Sequence, residues 1–180
     1  MLLVHFDCSI LWVSDQSILT DTFTIDAVYL GGPYTGMPEF KNWSVNLGRK
    51  NRALKLWMVL RNCGLEKIRI LMRKHHQLAN LFAHLIESDT RFQLVNDVRL
   101  GLVCFNLKTG NKANKELFRM LRHERQLFLT SGSLPTHIGE KDASEFLRFV
   151  SNHQATLEDI ERAVRIITNT ATRVLQQSPK

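Results

Sequence analysis

The chain has 180 residues, 44% of them hydrophobic, and a formal net charge of +7. This is enough for one domain or one and a fraction, and no stretch approaches the roughly 20 apolar residues a membrane helix needs. Cys8, Cys63 and Cys104 are odd in number and widely spaced. They make neither a disulfide framework nor a zinc motif and favour a reducing, cytosolic setting. The apolar start lacks a basic n-region and is broken by His5, Asp7 and Ser9, so no signal peptide is expected. Charge is uneven: before residue 49 the only lysine or arginine is Lys41, against Asp7, Asp15, Asp21, Asp26 and Glu39. Such asymmetry fits a nucleic-acid footprint or a larger protein whose acidic part lies elsewhere. The second is preferred.

In chain order, Leu2–Phe6 and Ile10–Val13 are predicted as two buried strands around Asp7-Cys8-Ser9. A chain opening on a fully apolar strand suggests a fragment. Residues 14–47, with Gly31-Gly32-Pro33 and Gly36, are expected to form a long loop. Residues 49–63 are apolar nearly all round a helix (Leu54, Leu56, Trp57, Met58, Val59, Leu60), which predicts burial on most sides. Gly64 fits a helix stop. A second helix is predicted from Leu65 to Glu87, with Ile68, Leu71, Leu78, Leu81, Phe82 and Leu85 at helical spacing. Strands are predicted at Phe92–Val95 and Leu100–Leu107, and a helix at Lys112–Gln126. Two more strands follow at Leu127–Thr130 and Glu145–Ser151, then a helix opened by Thr156 with Asp159 three places on. This order predicts an α+β layer with a mostly antiparallel sheet.

Five segments carry a resemblance. LLVHFDCSILWV (Leu2–Val13), IDAVYL (Ile25–Leu30), NWSVNLGRKNRALKLWMVLRNCG (Asn42–Gly64), LGLVCFNLK (Leu100–Lys108) and FLRFVSN (Phe146–Asn152) occur in the order found in the group II amino acid decarboxylases. The chain resembles this pyridoxal-phosphate-dependent family throughout, and most of all its aromatic L-amino acid decarboxylases. Their animal relatives include histidine decarboxylases and aldehyde synthases. The resemblance implies an α/β fold of the fold-type I PLP-dependent transferase kind. Residues 1–54 would end the large PLP-binding domain, and residues 55–180 would form the small α+β C-terminal domain. It also implies a cytoplasmic homodimer, an aromatic amino acid as substrate, and pyridoxal 5'-phosphate as cofactor. No nucleic acid, membrane or metal partner is expected. The Schiff-base lysine would stand just before Met1, so this chain alone is expected to be inactive.

The resemblance places a catalytic role on Tyr29, whose phenol would protonate the carbon left by CO₂; the plainer reading is a packing residue. Gly48 would shape the substrate pocket, where histidine decarboxylases tend to carry Ser; the plainer reading is a turn glycine with positive φ. Arg148 lies on a strand candidate between Leu147 and Phe149. It is either an outward or ion-paired strand residue or, as in related glutamate decarboxylases, a fork for the substrate carboxylate. Arg49 is read as structural. Arg73-Lys74-His75-His76, with His84, is read as a solvated basic helix face without metal-ligand spacing. An oxidative aldehyde synthase, a non-catalytic product that only associates with a partner subunit, and a basic nucleic-acid-binding module are the alternatives.

Overall fold

A computed structural model describes residues 8–25, 27, 29, 36, 38–48, 50–135 and 143–177. They fall into two compact units, Leu2–Gly64 and Leu65–Lys180.

In the first unit, the Asp15 carboxylate accepts the Ser17 amide at 2.9 Å and opens α1, Ser17–Phe23. That hydrogen bond holds the Asp15 carboxyl below its ordinary value. The helix lies inside the expected loop. It has seven residues, hydroxyl-rich and without a buried side chain, so it shows no apolar period. A 3₁₀ turn at Phe40–Trp43 follows, where Phe40 and Trp43 meet edge to face at 5.2 Å.

Two sequence expectations are corrected here. Ile10–Val13 is not a strand: it pairs with no other strand among the described residues, and Trp12 is 89% exposed. An apolar run becomes a sheet strand only where a neighbour supplies backbone hydrogen bonds. Leu2–Phe6 lies outside the described residues. The helix expected to be buried does form, because the Asn51 side chain caps the Leu54 amide at 3.2 Å. Its apolar residues nevertheless stay open, with Trp57 57% exposed and Leu54, Met58 and Leu60 also exposed.

Helix α2 spans Arg52–Glu87 and breaks at Gly64, whose φ of 71° and ψ of 160° are non-helical. Positive φ is what a glycine allows without a Cβ clash, so the predicted stop is real, although the helix resumes at once. Beyond the break, Ile68, Leu78, Phe82 and Ile86 are buried.

The second unit holds a four-stranded antiparallel sheet in the order β1-β2-β4-β3, made of β1 Phe92–Leu94, β2 Leu102–Leu107, β3 Thr130–Pro135 and β4 Ala143–Val150. Helices α3, Asn111–Glu124, and α4, Leu157–Gln177, complete it. Alternation along the strands defines two faces. Phe92, Val103, Phe105, Leu107, Leu147 and Phe149 form the core with Phe82 of α2, Leu117 and Leu121 of α3, and Ile160, Ile167 and Val174 of α4. Phe82 stacks on Phe149 at 4.0 Å and meets Phe105 edge to face at 5.5 Å. The opposite face carries Cys104, Asn106, Phe146 and Arg148.

Two local devices hold the ends. Thr156 and Asp159 cap α4 reciprocally: the Thr156 hydroxyl accepts the Asp159 amide at 3.2 Å and the Asp159 carboxylate accepts the Thr156 amide at 3.0 Å. The buried Asn114 side chain accepts the Leu107 amide at 2.7 Å and donates to the Leu107 and Gly110 carbonyls at 3.1 and 3.0 Å. This fixes the turn from β2 into α3. The strand expected at Leu127–Thr130 is displaced: β3 begins at Thr130, and Phe128 before it is 84% exposed. The polar TSGSLP string carries little strand propensity and is recruited by pairing with β4.

Candidate functional site

Arg148 is set by the pleat of β4. Its neighbours Leu147 and Phe149 point into the core, so Arg148 is carried on the opposite, exposed side. Its Cα partners are Cys104 on β2 and Thr130 on β3. The Arg148 Nε–H donates to the Thr130 hydroxyl at 3.2 Å, and Arg148 makes no ion pair among the described residues. Burial pushes the Cys104 thiol up from its ordinary value, with the Arg148 charge opposing. Beside it, Asn106 donates to the Glu145 carbonyl at 3.4 Å, while its own Oδ1 is buried without a partner.

Tyr29 and Gly48 belong to the other unit. Tyr29 is 82% exposed, and its hydroxyl has no hydrogen-bond partner among the described residues. Asp26, Val28 and Leu30 of the IDAVYL segment lie outside the described residues, as does Arg49. Gly48 departs from the plainer expectation. Its φ is not positive, and an added Cβ would meet nothing within 4 Å. Neither backbone conformation nor crowding within the described residues requires a glycine there.

The basic cluster is not one solvated face. His75 is buried, and its Nδ1 lies 2.7 Å from the Ser151 hydroxyl. Burial holds its imidazole below the ordinary value. A helix turning 100° per residue carries one member of a four-residue run inward, which corrects the expectation for His75 alone. His76 and His84 are exposed; His76 Nδ1 lies 3.3 Å from the Leu100 carbonyl and Asn80 donates to its Nε2 at 3.1 Å. No group of three or more His, Cys, Asp or Glu among the described residues could hold a metal ion, and no helix among them is long and apolar enough to cross a membrane.

A PLP anchor needs a lysine enclosed around its amine. The first lysine is Lys41, ion-paired to Glu39 at 3.0 Å, and every lysine among the described residues is at least partly exposed. None fits the anchoring role. Among the described residues, Arg148 presents a guanidinium and, in the other unit, Tyr29 an exposed phenol, and no lysine is enclosed as a covalent anchor would be. Sequence reasoning missed Thr130 and the His75–Ser151 pair. No local signal marks either, since the partners lie 18 and 76 residues apart.

The fold is mixed α/β and matches the C-terminal portion of solved PLP-dependent decarboxylases. The Oryza sativa TDC solved with PLP and tryptamine superposes with a TM-score of 0.77 at 25% identity, over 88% of this chain and 34% of that one. In sequence, the aromatic-L-amino-acid decarboxylase of Cavia porcellus is 35% identical over 178 residues, covering 97% of this chain and 36% of the relative. The 3,4-dihydroxyphenylacetaldehyde synthase of Drosophila melanogaster is 38% identical over 152 residues, covering 83% of this chain and 28% of the relative. Residues 1–108 match the pyridoxal-dependent decarboxylase conserved domain. The chain belongs to the group II PLP-dependent decarboxylase family, whose members are PLP-dependent carboxy-lyases. It spans about a third of the length of these relatives.

Proposed function

We propose that this chain forms part of a carboxy-lyase that releases CO₂ from an aromatic L-amino acid, of the dopa, tyrosine or tryptophan kind, to give the arylalkylamine. The observation that carries the reading is the phenol of Tyr29, which is exposed, has no hydrogen-bond partner among the described residues, and belongs to the IDAVYL segment. Bound pyridoxal phosphate would supply the electron sink for the carbon–carbon cleavage, with its anchoring lysine in the part found upstream in the relatives. Tyr29 delivers the proton to the substrate carbon that has lost its carboxylate. Arg148 receives the carboxylate and orients it. Gly48 leaves room for an aromatic ring. The working form is a cytoplasmic homodimer. The exposed Leu54, Trp57, Met58 and Leu60 support association, because apolar surface of this kind favours burial against a partner.

The test is Tyr29→Phe in the assembled holoenzyme, with the cofactor-binding part found upstream in the relatives. General acid catalysis contributes about 10²–10⁴-fold, so amine formation falls within that range. Amine release at the parent rate removes Tyr29 from the site. A second reading, an oxidative aldehyde synthase, is supported by the 38% identity to the Drosophila melanogaster enzyme. In that reaction the amino acid, O₂ and water give aldehyde, CO₂, ammonia and hydrogen peroxide. Assaying amine and peroxide together in the parent protein separates the two.

A further inference from the structure

We infer that Thr130 is a positioning residue for substrate, acting through Arg148. The inference rests on the reading of Arg148 as the carboxylate fork. A guanidinium can chelate a carboxylate side-on, through Nε and one Nη, or end-on, through both Nη atoms. Nε carries a single proton, and that proton is donated to the Thr130 hydroxyl at 3.2 Å. The side-on mode is therefore closed. Both Nη groups stay uncommitted among the described residues, so the end-on mode remains.

The placement is structural. Thr130 and Arg148 are Cα partners across the β3–β4 ladder, and Cys104 is the partner of Arg148 on the other side. The Cys104 thiol is kept neutral by burial and is a weak acceptor, so it does not compete for the guanidinium. A long, flexible side chain is thus held in one plane by a single neighbour, which reduces the ordering cost of binding. The expected signature is a change in carboxylate binding with little change in turnover.

The experiment compares Thr130→Val, Thr130→Ser and Arg148→Gln in the assembled holoenzyme. Four quantities are read: KM and kcat with dopa, and inhibition constants for 3-phenylpropanoate and for 2-phenylethylamine, which lacks the carboxylate. Thr130→Val raises KM and the phenylpropanoate constant about 2- to 10-fold, the size of one net hydrogen bond. It leaves kcat and the phenylethylamine constant near parent values, and Thr130→Ser restores both affected constants. If Arg148→Gln weakens phenylpropanoate but Thr130→Val does not, the positioning role is overturned and the Arg148 reading stands. If Arg148→Gln changes neither inhibitor, the Arg148 reading fails and the role of Thr130 fails with it. Equal weakening of both inhibitors by Thr130→Val, or no rescue by Ser, marks a merely structural residue and also overturns the inference.

Discussion

Replacing Gly132 by Ala tests whether the face of the sheet that carries Arg148 is as tightly packed as its core. Gly132 lies on β3 opposite Phe146 of β4, and Phe146 is only 8% exposed. A Cβ at residue 132 would stand 2.7 Å from Phe146 Cζ and 3.1 and 3.3 Å from its two Cε atoms. Ordinary carbon contacts begin near 3.5 Å, so the ring must retreat by roughly 0.8 Å. The backbone at Gly132 is not in the left-handed region, so the cost is steric and adds no strain at φ. Overpacking of this kind costs about 1–3 kcal/mol, and the loss of glycine flexibility returns roughly 0.5–1 kcal/mol. The net expectation is a destabilisation of up to about 2.5 kcal/mol, centred a little above 1 kcal/mol. Urea unfolding followed by circular dichroism reads it as a midpoint lowered by roughly 0.5–1 M. In a double-mutant cycle with Phe146→Leu, whose shorter side chain clears the new methyl, the two changes couple by at least about 0.5 kcal/mol. Strict additivity with Phe146→Leu refutes the contact.

Two further outcomes are expected. Burial, aided by the charges of Lys74 and His153, keeps the folded His75 pKa below that of the unfolded chain. The unfolded state therefore binds the proton first as pH falls through about 6.5, and stability declines below that pH until the folded imidazole also titrates, by at most about 1.4 kcal/mol per pH unit. His75→Gln flattens this decline between pH 7 and 5 in urea titrations; equal slopes in parent and variant exclude the His75–Ser151 pair as its source. Gly48→Ser meets no crowding and no positive φ, so its unfolding midpoint stays at the parent value. In the holoenzyme it lowers activity on dopa relative to histidine by roughly 1–3 kcal/mol of discrimination; an unchanged ratio removes Gly48 from the specificity set.

The helices of the second unit were legible because their signals are local. Thr156 and Asp159 announce α4 within four residues, and Ile160, Val164, Ile167 and Val174 are all buried as their spacing requires. The orientation of Arg148 was open to the same reasoning, since Leu147 and Phe149 flank it by strict alternation. Strand β3 was not legible. Its glycine, serines and proline speak for a loop, and only the ladder with β4 makes it a strand. Trp57 and Ile10–Val13 misled in the other direction. Their apolar character promised burial, but burial needs a covering surface that the described residues do not bring. The acceptor for Arg148 was invisible because register, not sequence distance, brings Thr130 beside it.

Asn114 has a consequence for how the second unit comes apart. Its amide grips the last residue of β2 and the first turn of α3 together. Helix α3 therefore cannot peel from the sheet while the end of β2 stays zipped, since either departure strands buried polar groups. The two elements open as one cooperative block, and the strand that carries Cys104 next to Arg148 inherits the rigidity of a helix on the far side of the sheet.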